Sequence, residues 1–311
     1  VTAIATVSGI LAALFERERS GRGRVVETSL LRTGAYCLGW DLGIQLVFGK
    51  TRAAVPRTEV ETPLVNCYRA GCGRWFWLIG VEADPMRSRE HVLDSLFGFA
   101  ERLGVRQRSM RWGIPLPPAA LEYAARVIPD QQPTLVLSPC SSHELRNWSA
   151  DGYAAVADYA ATRYGMRVLI CGGRSDLELA VGSRIEQLMR QPCVNLVGKD
   201  TLLEMLATLQ RATVLVSPAS GPAHMATTVG TPVIGLYAAT NPARSGPYYS
   251  RSWCVDRYDA AARKFLGRPA SDVAWTTKIE RPGVMDLIRV DDVIERLDAL
   301  VAAGAPRTPT G

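Results

Sequence analysis

The sequence predicts an α/β protein: a Rossmann-like domain on a parallel sheet, preceded by a small α+β fragment. Three observations carry this. Five short apolar runs, TLVLS (134–138), RVLIC (167–171), VNLV (194–197), TVLVS (213–217) and PVIGL (232–236), are separated by segments of helical character at about 149–164, 175–189, 201–210 and 221–229. The runs are apolar on consecutive positions, as strands covered by helices on both faces are. Upstream of Asp84-Pro85 the pattern changes to helix, strand-like run, helix and hairpin.

In chain order, small and apolar residues at helical spacing predict a helix from Thr2 to about Arg19, stopped by Ser20-Gly21-Arg22-Gly23. RVVET (24–28) reads as a strand, and an apolar helix is expected from about Ser29 to Phe48. A proline-containing loop reaches Pro63. LVNCYRA and RWFWLIGV then form a hairpin turned by Gly71-Cys72-Gly73. Beyond Asp84 come a helix from about Arg89 to Leu103, the proline-stiffened WGIPLPP and a helix near Ala119. After the five strands, a last helix spans about Val290 to Ala302, before a Pro/Thr/Gly tail. The expected division is 1–84 as the α+β fragment, 85–117 as helix and connector, and 118–311 as the sheet domain.

A chain of 311 residues, 47% hydrophobic and 21% charged, fits an ordered globular protein and not a disordered one. Its net charge of +6 rests on arginine, since Lys50, Lys199, Lys264 and Lys278 are the only lysines. No basic run alternates with aromatics, so no nucleic-acid partner is expected. The seven cysteines form no CxxC pair and share no ligand spacing with His91, His143 and His224, so no metal site is expected. Free thiols within apolar runs point to a reducing, cytoplasmic setting. The apolar start lacks the features of a signal peptide or membrane span, and without an initiator methionine it reads as beginning mid-protein.

Ligands of open parallel sheets bind beyond the carboxyl ends of the strands. Here those ends carry SPCSSHELRNW, CGGRSD, GKDT, SPASGPAH and YAATNPARSGPY, small and hydroxyl residues with scattered arginines. That composition suits sugar and phosphate. In SPASGPAH, Ser220 is expected to cap a helix starting at Gly221, with Pro222 in its first turn. The free N–H groups of Gly221, Ala223 and His224 then make an anion site. Gly221 leaves room for close approach. His224 either donates from its ring or packs on the preceding loop.

From about Pro85 onward the chain resembles glycosyltransferase family 9, the heptosyltransferases of the lipopolysaccharide inner core. The matching motifs are SPCSSHELRNW, CGGRSD, GKDTLLEMLATL and SPASGPAHMATTVGTPVIGLYAATNPARSGPY. The resemblance implies the donor half of a GT-B fold. It implies ADP-heptose as donor, a lipid A–Kdo acceptor, peripheral contact with the inner membrane, and inversion without metal or cofactor. Residue by residue, Arg146 and His224 are the implied catalytic groups. Ser141 and Ser142 match the hydroxyls near the phosphates, Asp176 or Glu178 the ribose acid, and Asp200 a position whose backbone faces adenine. Ser220, Gly221, Pro222 and His224 match the phosphate turn. On sequence alone Arg146 also reads as a surface arginine, Ser141 and Ser142 as turn caps, and Asp176 and Glu178 as first-turn helix acids. Ala219 stands where the family usually has an aspartate expected to contact the transferred sugar, and the family's acceptor domain has no counterpart.

Residues 1–84 resemble the class III CoA transferases, through GILAALFERERSGRGRVVETSLLRTGAY and PLVNCYRAGCGRWFWLIGVEAD. That family's aspartate nucleophile has no match; Glu27 and Asp41 read as surface acids. The cluster Arg17, Arg19, Arg22 and Arg24 reads as a solvated helix end, with a CoA phosphate as the alternative. The expected function is therefore glycosyl transfer of heptosyltransferase type, incomplete in isolation. The alternatives are a non-catalytic nucleotide-sugar-binding module and a CoA transferase.

Overall fold

The computed structural model describes residues 2–31, 65–69, 75–79, 89–102, 104–105 and 107–307. The chain forms two compact units, Val1–Val81 and Glu82–Gly311.

In the first unit α1 spans Thr2–Ser20. Gly21 ends it at φ +70°, its N–H donating to the Arg17 carbonyl at 2.8 Å. The expected strand at 24–28 is absent: residues 22–29 have no regular structure. A β-branched run becomes a strand only with a partner to share its ladder, and none pairs with it among the described residues. The hairpin consists of β1 (Val65–Arg69) and β2 (Trp75–Ile79), antiparallel, with Cys67 opposite Trp77. The helix expected at 29–48, beyond its first residues, lies outside the described residues, as do the hairpin turn and the Asp84-Pro85 junction.

The second unit begins with α2 (Val92–Arg102) and α3 (Pro118–Val127). Strands and helices then alternate: β3 (Thr134–Leu137), α4 (Ala150–Tyr164), β4 (Arg167–Ile170), α5 (Asp176–Leu188), β5 (Val194–Asn195), α6 (Leu202–Arg211), β6 (Val214–Pro218), α7 (Gly221–Thr228) and β7 (Val233–Tyr237). After them come α8 (Pro242–Ser245), β8 (Val255–Asp256), α9 (Tyr258–Leu266) and α10 (Val290–Ala302). The six strands form one parallel sheet in the order β5-β4-β3-β6-β7-β8. The doubly wound sheet is thus as expected, with β8, α8 and α9 added.

Local chemistry explains the boundaries. Ser149 caps α4 by accepting from the Gly152 N–H, and Gly165 ends it in the left-handed region. Ser175 caps α5, and Thr201 with Glu204 forms a capping box on α6. Along the strands, burial divides with period two. Leu135, Leu137, Val168, Ile170, Val214, Val216, Ile234 and Leu236 join the core on one face; Val136, Leu169, Leu215 and Val233 join that on the other. Each buried aliphatic side chain contributes about 1.5–3 kcal/mol. Trp148 sits so close to α4 that only glycine fits at 152, where a Cβ would lie 2.6 Å from the indole.

Several tethers fix the loops around the sheet's carboxyl ends. The Arg89 guanidinium donates to the carbonyls of Ala270 and Val273 at 3.1 and 2.9 Å. Trp275 Nε1–H donates to the Glu90 carbonyl at 2.8 Å. His91 Nε2 lies 2.9 Å from the Gly246 carbonyl oxygen. At the opposite end of the sheet, Arg307 donates to the carbonyls of Gln210 and Ala212 and to Thr231 Oγ1, binding the C-terminal segment to the ends of α6 and α7.

Candidate functional site

The chain leaves β3 toward β4 and β5, and leaves β6 toward β7 and β8. The two adjacent central strands therefore send their connections opposite ways, and the crevice between their carboxyl ends is the topological switch point. The loop after β3 carries Ser141, Ser142 and Arg146. The loop after β6 is only Ala219-Ser220 before α7 begins.

At the α7 terminus Ser220 holds the N-cap position with extended backbone, but makes no capping hydrogen bond. The expected cap is thereby corrected: its Oγ is instead 2.7 Å from Ser217 Oγ, drawn toward the end of β6. The consequence favours a ligand, because the side chain does not occupy the first-turn N–H groups. A Cβ at Gly221 would meet no atom within 4 Å, so the helix tip is open. Pro222, in the first turn, removes a donor that has no helical partner there.

Two cavities meet at this tip and share Ser142, Ser220 and Gly221. The larger, about 650 Å³, has apolar walls from Leu177, Leu202, Met205 and Met225 and acids at Glu178 and Asp200. The smaller, about 350 Å³, is lined by Arg146, His224, Arg244 and Lys278, with Trp275 and Ala219. The crevice therefore has one end suited to a flat apolar ring and another suited to negative charge, joined at a helix N-terminus.

The sequence-identified residues divide between these environments. Arg146 faces the smaller cavity and donates from Nε to Glu280 Oε1 at 2.7 Å, with Nη2 on the same oxygen. His143 Nε2 lies 3.7 Å from the other Glu280 oxygen. The Arg146 hydrogen bond, foremost, holds the Glu280 carboxyl below its usual pKa. His224 lines the same cavity. Desolvation, aided by nearby His91, lowers its pKa, so the ring is neutral at neutral pH and has one N–H able to donate.

Ser141 lines the larger cavity; its Oγ donates to the His143 carbonyl at 3.0 Å, and its N–H donates to Asn147 Oδ1 at 2.7 Å. Those bonds shape the β3 loop. Of the two candidate acids after CGG, Glu178 lines the cavity, while Asp176 is exposed at the start of α5 and lines neither cavity. Glu178 already accepts from the Gly173 N–H at 2.8 Å and the Ser175 hydroxyl at 2.6 Å, closing the glycine loop on itself. Asp200 also lines the larger cavity, and its Oδ2 is buried without a hydrogen-bond partner. Burial, with Glu204 adding to it, raises its pKa to about 6. Arg244, Trp275, Lys278 and Glu280 were not singled out from sequence. Residues 274–280 follow no helical or strand period; they reach the site because Ile279 N–H donates to the Ala239 carbonyl at 2.7 Å, just past β7.

Among the described residues, no group of three or more His, Cys, Asp or Glu is arranged to hold a metal ion. No described helix is long and apolar enough to cross a membrane.

The family model for glycosyltransferase family 9 (heptosyltransferase) matches residues 62–272. The chain belongs to glycosyltransferase family 9. Among its relatives, the lipopolysaccharide core heptosyltransferase OpsX of Haemophilus influenzae is 35% identical over 228 residues, covering 73% of this chain and 65% of that protein. A lipopolysaccharide heptosyltransferase 3 of Escherichia coli is 26% identical over 225 residues, covering 71% and 62%. The chain thus spans somewhat under two thirds of these family 9 proteins. A crystal structure of a family 9 glycosyltransferase from Veillonella parvula superposes with a TM-score of 0.58 at 22% identity, covering 72% of this chain and 62% of that one, and shares its fold. The model for CoA-transferase family III matches residues 1–96, overlapping the family 9 match over 62–96.

Proposed function

We propose that the chain binds ADP-heptose in this crevice as the donor half of a heptosyltransferase, for transfer to the lipid A–Kdo acceptor of the lipopolysaccharide inner core. The observation that carries the reading is the uncapped, open N-terminus of α7 at the junction of the two cavities. Adenine fits against Leu202, Met205 and Met225, beside Asp200. The diphosphate lies across the first turn of α7, near Ser142 and Arg146. As the glycosidic bond to phosphate breaks, charge grows on the departing ADP. Helix amides, the Arg146 guanidinium and a neutral His224 N–H are the groups able to meet it. Residues 118–311 form the donor domain in this reading, working at the cytoplasmic face of the inner membrane by peripheral contact.

The smaller cavity's lining contains no carboxylate, so removal of the acceptor's proton falls to a group outside that lining. Weak turnover of the chain alone is expected. Calorimetric titration with ADP, repeated on Arg146→Ala, tests the donor site; a radiolabelled-donor assay tests transfer. No ADP binding sinks the whole reading, and strong unaided transfer sinks the missing-base argument. Ala219 favours a second reading, a module that binds the nucleotide sugar and transfers nothing, because its methyl accepts no hydrogen bond from a sugar hydroxyl. The match at residues 1–96 favours a third, CoA-transferase chemistry, which an acyl-CoA exchange assay reads directly.

A further inference from the structure

We propose that Glu280 is a positioning residue for the donor's diphosphate: it grips one edge of the Arg146 guanidinium and leaves the other edge for the phosphates. The inference rests on the nucleotide-sugar reading and deepens it.

A guanidinium presents two forked edges, Nε with Nη2 and Nη1 with Nη2, and either can hold an oxyanion. Glu280 takes the first. Arg146 Nε donates to Glu280 Oε1 at 2.7 Å, and Nη2 donates to the same oxygen. Nη1 donates to no acceptor among the described residues, while the arginine, its side chain 15% exposed, lines the smaller cavity beside the α7 tip. His143 Nε2 lies 3.7 Å from the second carboxylate oxygen. The Arg146 hydrogen bond, foremost, with the charge of Lys278 behind it, favours the ionised form of Glu280.

The two partners differ in how firmly they are held. Arg146 ends a single 3-10 turn, Glu144–Arg146, in the loop after β3. The segment carrying Glu280 is fixed from three sides. Ile279 N–H donates to the Ala239 carbonyl at 2.7 Å, Trp275 Nε1–H to the Glu90 carbonyl at 2.8 Å, and the Tyr258 hydroxyl to the Thr277 carbonyl at 2.9 Å. An arginine without such a partner samples many rotamers, and a phosphate that recruits it must order it at a cost in affinity. Glu280 removes that cost by ordering the side chain beforehand. Its negative charge acts the other way, since a carboxylate near a diphosphate weakens binding. Position and charge therefore have opposite signs, and a pair of substitutions separates them.

The experiment titrates the full chain with ADP by calorimetry, then Glu280→Gln and Glu280→Ala, and both again in an Arg146→Ala background. The two substitutions remove the same charge, but only glutamine keeps an oxygen able to accept from Nε and Nη2. Glu280→Ala is expected to bind ADP about three- to tenfold more weakly than Glu280→Gln. That difference is expected to vanish once Arg146 is alanine. Equal affinities in the Gln and Ala variants overturn the proposal, because Glu280 then acts through its charge alone. A difference that survives without Arg146 also overturns it, because Glu280 then serves only the fold. The parent chain supplies a second readout, the Nε–H resonance of Arg146, identified by its absence in Arg146→Lys. The resonance is expected to stay protected from exchange at saturating ADP, and its loss on binding would show the arginine leaving Glu280 for the phosphates, against the proposal. No ADP binding by the parent chain overturns the donor reading and this inference together, whereas the other adverse results overturn the inference alone.

Discussion

Replacing Gly221 separates stability from binding. A Cβ there meets no atom within 4 Å, so Gly221→Ala and Gly221→Val create no clash within the protein. Alanine also lowers the entropy of the unfolded chain, so stability holds or rises, by at most about 1 kcal/mol. The new methyl stands in the opening that both cavities share. A phosphate oxygen accepting from a first-turn amide must come within about 2.9 Å of its nitrogen. Pushing it back forfeits one charge-assisted hydrogen bond, about 1.5–3 kcal/mol. That is a loss of roughly 10- to 100-fold in affinity for ADP, with valine at the upper end. Calorimetry measures the affinity, and thermal unfolding of the same samples measures the stability. A valine variant that binds ADP within twofold of the parent chain would show that the phosphates do not sit at the α7 tip.

Asp200 makes stability depend on pH. Its folded pKa of about 6 lies above the ordinary 3.8, so the native state holds the proton more tightly than the unfolded one; stability falls as pH rises between these values and levels off above them. Asp200→Asn, isosteric and uncharged, is expected to exceed the parent by about 2 kcal/mol at pH 8, with the advantage gone near pH 3.5, measured by urea unfolding. Gly152→Ala drives a methyl into the Trp148 ring at 2.6 Å and is expected to cost about 1–3 kcal/mol, with a shift in tryptophan fluorescence as the indole moves. Arg307→Ala removes donors from three acceptors and is expected to cost about 1–2 kcal/mol in urea unfolding, while ADP affinity is unchanged because these contacts lie at the other end of the sheet.

The sheet was legible because its strands are apolar on consecutive positions and its helices open on Ser149, Ser175 and Thr201, each of which caps as its chemistry suggests. The α7 turn was legible through Gly221 and Pro222, whose backbone roles are local. Ser220 was misread for the opposite reason: its hydroxyl had two possible partners, and the choice of Ser217 depends on how β6 ends. β8 is two residues long, too short for any periodic signal, and it exists because the ladder at the end of β7 accepts it. The 274–280 wall is held by contacts distant in sequence, the Ile279 N–H on Ala239 past β7, Trp275 on Glu90 and Tyr258 on Thr277, which no local pattern announces. RVVET has the composition of a strand and finds no pairing neighbour among the described residues.

The Arg307 clasp has a practical consequence. It pins the C-terminal segment under the amino ends of β6 and β7, on the far side of the sheet from the crevice. A fluorophore attached at position 307 or beside it would sit at that end of the domain, and the crevice would stay clear.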